Sequence, residues 1–309
     1  MNMFRQKSAC LVYFKGETMP RAITTIEAMG KDLAWTLVQQ ARGIPDAKAI
    51  DDFLTDRSFL VLFAKHDLTE RLCITAAISQ MSGSSTYMGP EESWMDVASA
   101  YPEALLGAMS YYVDGIVLHG LMPTVRDLEE VTFPILNVGS KEAHPCHALA
   151  DILCMLRYSH GDLSTQKLCW LGYPSGAMYS LMAATKFFPF SMSLCFPEKF
   201  DAAAVQAKLD QLKTDVVIHN SVESAVAGCQ YIVGGSTDGM SFDEKNLWRI
   251  SKDLLAKTGV KSRVMAGTNP MHCLPVDMSV VAEHNDLFLL QSENKLRVYK
   301  RMLHWLIGM

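Results

Sequence analysis

Apolar positions along this chain fall into two alternating rhythms. Short, almost wholly apolar runs are separated by longer stretches in which apolar residues return every three or four positions. Ser58–Ala64 (Ser-Phe-Leu-Val-Leu-Phe-Ala) is of the first kind, as expected of a strand buried on both faces. Pro20–Arg42, with Ile23, Ile26, Met29, Leu33 and Leu37, is of the second kind and predicts a helix. The alternation continues with a helix over Leu68–Met81, a strand at Ser84–Tyr87, a helix over Ala98–Ser110 and a strand at Gly115–His119. A short helix at Thr124–Glu130 and a strand at Pro134–Val138 follow. A helix from His147 to His160 is long enough to bridge two domains, and the cycle then restarts. Strands are predicted at Lys167–Gly172, Ser191–Phe196, Val216–His219, Tyr231–Val233 and Arg263–Gly267. Helices fall between them at Ala177–Phe187, Ala202–Leu212, Val222–Ala227 and Phe242–Thr258, and Asn294–Gly308 closes the chain as an amphipathic helix. Strand–helix units of roughly 30 residues argue for mostly parallel, doubly wound sheets. The fold class is therefore read as α/β, two doubly wound parallel-sheet domains joined by interdomain helices.

At 309 residues the chain is long enough for two such domains. A formal net charge of -5 offers no attraction to nucleic acid, and the basic residues are too scattered for a membrane-binding patch. No uninterrupted apolar run approaches ~18 residues and the first residues lack a signal-peptide pattern, so a cytoplasmic protein is expected. Eight cysteines without a Cys-x-x-Cys pair read as reduced thiols acting mostly as small core residues. No metal or other cofactor is expected.

Open doubly wound sheets bind ligands beyond the carboxyl ends of their strands. Those ends carry Lys65-His66-Asp67-Leu68-Thr69-Glu70-Arg71, His119-Gly120, His144-Pro145-Cys146-His147 and, late in the chain, Met271-His272-Cys273-Leu274-Pro275. The last contains His-Cys-Leu-Pro, which resembles the ornithine carbamoyltransferase signature. His144–Asp151 resembles the family's His-Pro-x-Gln-x-Leu-x-Asp segment. Thr86–Pro90, Asp114–Ile116 and Gln291–Lys295 resemble further family segments in the same order. The resemblance to the aspartate/ornithine carbamoyltransferases runs from Leu60 to Met309. It implies the carbamoyltransferase fold, with a carbamoyl-phosphate-type domain over 1–143 and an amino-acid-binding-type domain over 144–287. A C-terminal helix over 288–309 would pack back on the first domain. It also implies a homotrimer in which a neighbouring loop completes each phosphate pocket. The matching loop here, Glu91–Ala98, carries three acids and no lysine.

Family members carbamoylate an amino group with carbamoyl phosphate, whose phosphate lies in a Ser-Thr-Arg-Thr turn opening a helix. Aligned from Phe63, that turn falls on Asp67-Leu68-Thr69-Glu70, with Arg71 following. Thr69 thus stands at the phosphate-pairing arginine, and His119 and Lys295 stand at two further family arginines. Each charge-assisted hydrogen bond is worth ~1.5–3 kcal/mol, so two lost guanidiniums cost about 3–6 kcal/mol, roughly 10²–10⁴ in affinity. Asp67 and Glu70 either answer the helix dipole or bind a cationic group. On the second-substrate side, the family's aspartate falls near Gly235, and Asp238 substitutes for it only if the loop is re-registered. The family's Asn-rich turn is here Gly172-Tyr173-Pro174-Ser175-Gly176.

The carbonyl-activating portion is retained. The resemblance assigns His144 to the carbamoyl oxygen, and Cys273 with the Leu274 backbone to the carbamoyl and amine groups. His147 adds a second titratable group, and His272 precedes the cysteine; His144 also fits a simple helix cap. Two functions compete. One is a divergent carbamoyltransferase-like transferase acting on a carbamoyl- or amide-bearing small molecule or amino acid, without ordinary use of carbamoyl phosphate. The other is a catalytically silent paralogue serving as a binding or regulatory subunit. If the site is catalytic, replacing His144 or Cys273 is expected to affect folding only mildly, because both lie at strand ends.

Overall fold

The computed structural model describes residues 22–92, 109, 111–121, 134–267 and 273–308. The chain divides into two compact units, residues 1–147 with 295–309, and residues 148–294. Each unit holds a five-stranded, wholly parallel sheet.

In the first unit the strands are β1 (Ala22–Ile23), β2 (Ser58–Phe63), β3 (Ser84–Met88), β4 (Gly115–His119) and β5 (Ile135–Asn137), in the order β1-β5-β4-β2-β3. β2 lies inside the sheet and is apolar on both faces. Phe59, Val61 and Phe63 are buried, while Leu60 and Leu62 pack with Ile116 and Ile135. Covering helices include α1 (Ile26–Arg42) and α2 (Leu68–Gln80). The sheet order reverses between β2 and β4, whose last residues, Phe63 and His119, are register partners. That reversal is where an open α/β sheet opens a crevice for a ligand.

α3 (Pro145–Tyr158) leads into the second unit. There β6 (Lys167–Leu171), α4 (Gly176–Ala184), β7 (Ser191–Cys195), α5 (Ala203–Leu212), β8 (Val217–His219), α6 (Val222–Val226) and β9 (Tyr231–Gly234) follow in turn. α7 (Phe242–Leu247), α8 (Lys252–Ala256), β10 (Arg263–Ala266) and the long α9 (Met278–Ile307) complete the described elements. The strand order is β10-β9-β6-β7-β8, so the reversal lies between β6 and β9, where Leu171 pairs with Gly234.

Several elements differ from the pattern in the sequence, each for a local reason. α1 begins at Ile26 because the Thr25 hydroxyl accepts the Ala28 N–H at 3.0 Å and caps the helix there. The helix expected over 242–258 is two helices. Ser241 and Ser251 each cap a separate N-terminus, and the buried Ile250 between them bridges to Val276. The last helix starts at Met278, well before Asn294. β1 was too short to show a pattern; it exists because Ala22 and Ile23 pair with Ile135 and Leu136. The helices expected at 98–110 and 124–130 lie outside the described residues, Met109 excepted. No described helix is long and apolar enough to cross a membrane.

Candidate functional site

At the carboxyl end of β2, the turn into α2 carries its own anion. The Asp67 carboxylate accepts the Glu70 amide at 3.0 Å and the Thr69 hydroxyl at 2.8 Å, which is an ordinary N-cap. Leu68 is exposed, and the Arg71 guanidinium lies 3.6 Å from the centre of the Tyr87 ring, a cation–π contact.

Glu70 does not point to solvent. It is 3% exposed and sits within a ring of donors. Its Oε1 accepts from the Lys295 ammonium and from His144 Nε2 at 3.1 Å, and its Oε2 accepts from the Tyr299 hydroxyl at 2.6 Å. Burial by itself would push this carboxyl up, but Lys295 and His144 hold it well below the ordinary range. Burial works against the Lys295 charge, and Glu70 more than restores it, raising the ammonium above its usual value. Burial and the neighbouring Glu70 charge keep the Tyr299 phenol protonated far above its usual value.

His144 directly precedes α3 and its Nδ1 accepts the His147 amide at 3.3 Å. A ring nitrogen that accepts carries no proton, so Nε2 is the N–H that faces Glu70. The His144 and His147 rings meet edge-on at 5.2 Å. Gly139, at φ +130°, admits this approach: a Cβ there would stand 3.0 Å from the His144 ring and 3.2 Å from His119 Nδ1. His119 is 3% exposed, stacks 4.5 Å from Phe63, and its Nδ1 lies 3.3 Å from the Val138 carbonyl. Its Nε2 meets no partner among the described residues. Burial, set against the Glu70 charge, lowers its pKa to about 4, so the ring is neutral. Two thiols adjoin the cluster. Cys73 is pushed up to about 12 by burial and then by Glu70, and Cys146 is raised by burial; neither is a thiolate near neutrality.

The ligating atoms of Glu70, His144 and His147 lie within 4.8 Å of one another, which is the right scale for a metal ion. The chemistry of the set does not fit one. Held by these three residues, a divalent ion would need bare nitrogen lone pairs and an unoccupied carboxylate oxygen. Here the carboxylate receives an ammonium, and His144 offers a proton rather than a lone pair.

The second unit brings a different group together. Tyr173, two residues beyond β6, forms an antiparallel bridge with Ser236, which bridges in turn to Cys273. Cys273 is half-buried and burial raises its thiol, so it is a weak nucleophile near neutrality. Leu274 is buried and its N–H is bound to the Gly235 carbonyl at 3.1 Å. Asp238 is exposed, with its backbone N–H on the Ser236 hydroxyl at 3.1 Å. His272 lies outside the described residues.

Two family models cover most of this chain. The carbamoyl-phosphate-binding domain of the aspartate/ornithine carbamoyltransferases matches residues 21–157, and their Asp/Orn-binding domain matches residues 164–306. The chain belongs to the aspartate/ornithine carbamoyltransferase family. An ornithine carbamoyltransferase from Oleidesulfovibrio alaskensis is 24% identical over 302 residues, covering 94% of this chain and 99% of that protein. The ornithine carbamoyltransferase structure from Thermus thermophilus superposes with a TM-score of 0.79 at 18% identity, covering 94% of this chain and all of that one. The catalytic subunit of the M. jannaschii aspartate transcarbamoylase gives 0.76 at 19%, covering 94% of this chain and 98% of that one. At these identities the structural likeness is one of fold.

Of the residues singled out in the sequence, Asp67, Thr69, Glu70, His119, His144, His147 and Lys295 gather at the reversal of the first sheet and α3, while Leu68 faces outward and Arg71 lies on Tyr87. Glu70 is neither a dipole-facing surface acid nor an open cation site, because its partner Lys295 is internal. His144 carries more structural weight than a strand-end position suggests, since it caps α3 and donates to a buried acid. Tyr299 was missed. Its signal was spacing: four residues after Lys295, it shares that lysine's helix face.

Proposed function

We propose that the protein is a carbamoyltransferase-type group transferase whose donor is not held as carbamoyl phosphate in the usual way. Its substrate is a carbamoyl- or amide-bearing small molecule or amino acid. One observation carries the reading: the turn that opens α2 is capped by the Asp67 carboxylate, and the cation behind it, Lys295, is neutralised by Glu70. A phosphate dianion brought there would meet one carboxylate at the helix terminus and a second already holding the ammonium. Arg71, the remaining guanidinium of the turn, is engaged by Tyr87.

In this reading an amine attacks a carbonyl carbon, negative charge develops on the oxygen, and collapse expels the leaving group, which departs with the bond electrons and takes up the proton the nitrogen loses. His144 supplies the N–H to that oxygen by exchanging Glu70 for the ligand. A silent paralogue is the second reading. It is favoured by one observation, that both His144 ring nitrogens already serve the fold. Calorimetric titration with carbamoyl phosphate tests the donor: millimolar or absent binding is expected, and a micromolar dissociation constant overturns the proposal. The family further suggests a homotrimer in cytoplasmic amino-acid metabolism.

A further inference from the structure

Asp67-Leu68-Thr69-Glu70 has the spacing of a reciprocal helix cap, in which the third helical residue returns its carboxylate to the amide of the capping residue. Ser241 and Glu244, at the same spacing, close such a cap: Glu244 Oε2 accepts the Ser241 amide at 2.9 Å. At α2 the Asp67 carboxylate takes the Glu70 amide, but Glu70 turns both of its own oxygens inward. The helix start therefore does not dictate where this carboxylate lies. The donors that receive it do.

Lys295 and Tyr299 stand one turn apart on α9, in the same compact unit as Glu70, and each takes one carboxylate oxygen. His144 shares the oxygen that Lys295 holds. Of the two donors on α9 Lys295 alone is charged, because burial and the Glu70 charge keep the Tyr299 phenol protonated. The pair thus balances one negative charge spread over two oxygens in a plane. Lys295 and His144 keep 14% and 12% of their side-chain surface in solvent and Glu70 only 4%, so the acid lies behind its donors.

We infer that Lys295 and Tyr299 form the anchor for a carboxylate carried by the ligand, and that Glu70 is the internal occupant which that carboxylate displaces. The space for it is the space that the Glu70 carboxylate now fills. Charge selects the class: a neutral group in that place would leave a buried ammonium unpaired, and a dianion would exceed the one charge that Lys295 balances. His144, released from Glu70, keeps its N–H for the carbonyl oxygen. This rests on the exchange of Glu70 in the transferase reading and names the group its ligand must carry.

The test is calorimetry and thermal melting of the full chain with Glu70→Ala, using acetate as the probe and acetamide and chloride as controls. Acetate is expected to raise the melting temperature of the variant saturably, while acetamide and chloride leave it unmoved. Its affinity for the variant should exceed that for the parent by about tenfold or more, since an internal occupant weakens binding by the fraction of time the site stands open. Adding Lys295→Met should abolish the response, and adding Tyr299→Phe should weaken it severalfold. Where Glu70→Ala does not fold in chloride, its refolding yield in acetate is measured instead, and recovery supports the inference. No response to acetate in either measurement overturns it, as does equal affinity in the parent or equal binding of acetamide. The two readings fail separately. Acetate rescue together with micromolar binding of carbamoyl phosphate by the parent removes the donor reading and leaves the carboxylate anchor, whereas absent rescue with weak carbamoyl phosphate binding does the reverse.

Discussion

Glu70 has left water and depends on the three side chains that face it. Removing one partner of a buried ion pair costs about 3–5 kcal/mol, because the other charge is left without compensation. Lys295→Met should lower the unfolding free energy by that amount in urea titrations. The double variant Glu70→Leu/Lys295→Met should recover most of it; an equal loss in both would mean that shape rather than charge is at stake. His119 sets a pH dependence of its own. Its folded value of about 4 lies below the ordinary 6.5, so between these values the unfolded chain holds the extra proton and stability falls with pH. The loss reaches about 3 kcal/mol at the lower end. Glu70 contributes only at the lower end of that window, since a depressed carboxyl begins to lose its stabilisation below its ordinary value of 4.5, and pH 5 to 7 isolates His119. Thermal melts from pH 7 to 4 should therefore show a shallower decline for His119→Phe than for the parent protein. Parallel profiles would contradict the assignment.

Two helix starts concentrate the ambiguity between structure and function. Asp67 caps α2, and Asp67→Ala should cost about 0.5–2 kcal/mol of stability, while Asp67→Ser should restore most of it. His144 caps α3 and also reaches Glu70, so a plain alanine substitution mixes two effects. His144→Asn separates them, because an asparagine side chain can still accept the His147 amide. Retained melting temperature with lost turnover in His144→Asn would support the transferase reading; retained turnover would remove His144 from the chemistry. These starts were only half legible in the chain. Asp67 followed by a run of helix formers signals a cap on its own. That Glu70 turns inward shows only when Lys295 and Tyr299, more than two hundred residues later, are seen to face it.

For the molecule as a whole, the family implies a threefold assembly, and sedimentation velocity at micromolar concentration should show a trimer. A clean monomer would set this chain apart from that implication. The alternation of strands and helices, the two parallel sheets and the family were all readable in the chain, since each rests on local pattern or on motifs that survive as strings. β1 and the break at Ile250 were not readable, because two-residue pairings have no periodicity to detect.

The sequence by itself determined the architecture, because a strand such as Ser58–Phe63 is apolar on both faces whatever surrounds it. It also determined that Asp67-Leu68-Thr69-Glu70 holds no arginine, since missing guanidiniums are missing in any conformation. Only the tertiary structure decided what replaced them. A carboxylate's role depends on distance and dielectric, and a carboxylate with an ammonium beside it behaves differently from the same group in water. Likewise Gly235 reads as a gap in the chain, and becomes a requirement only when Trp170 is found in the space a side chain would occupy.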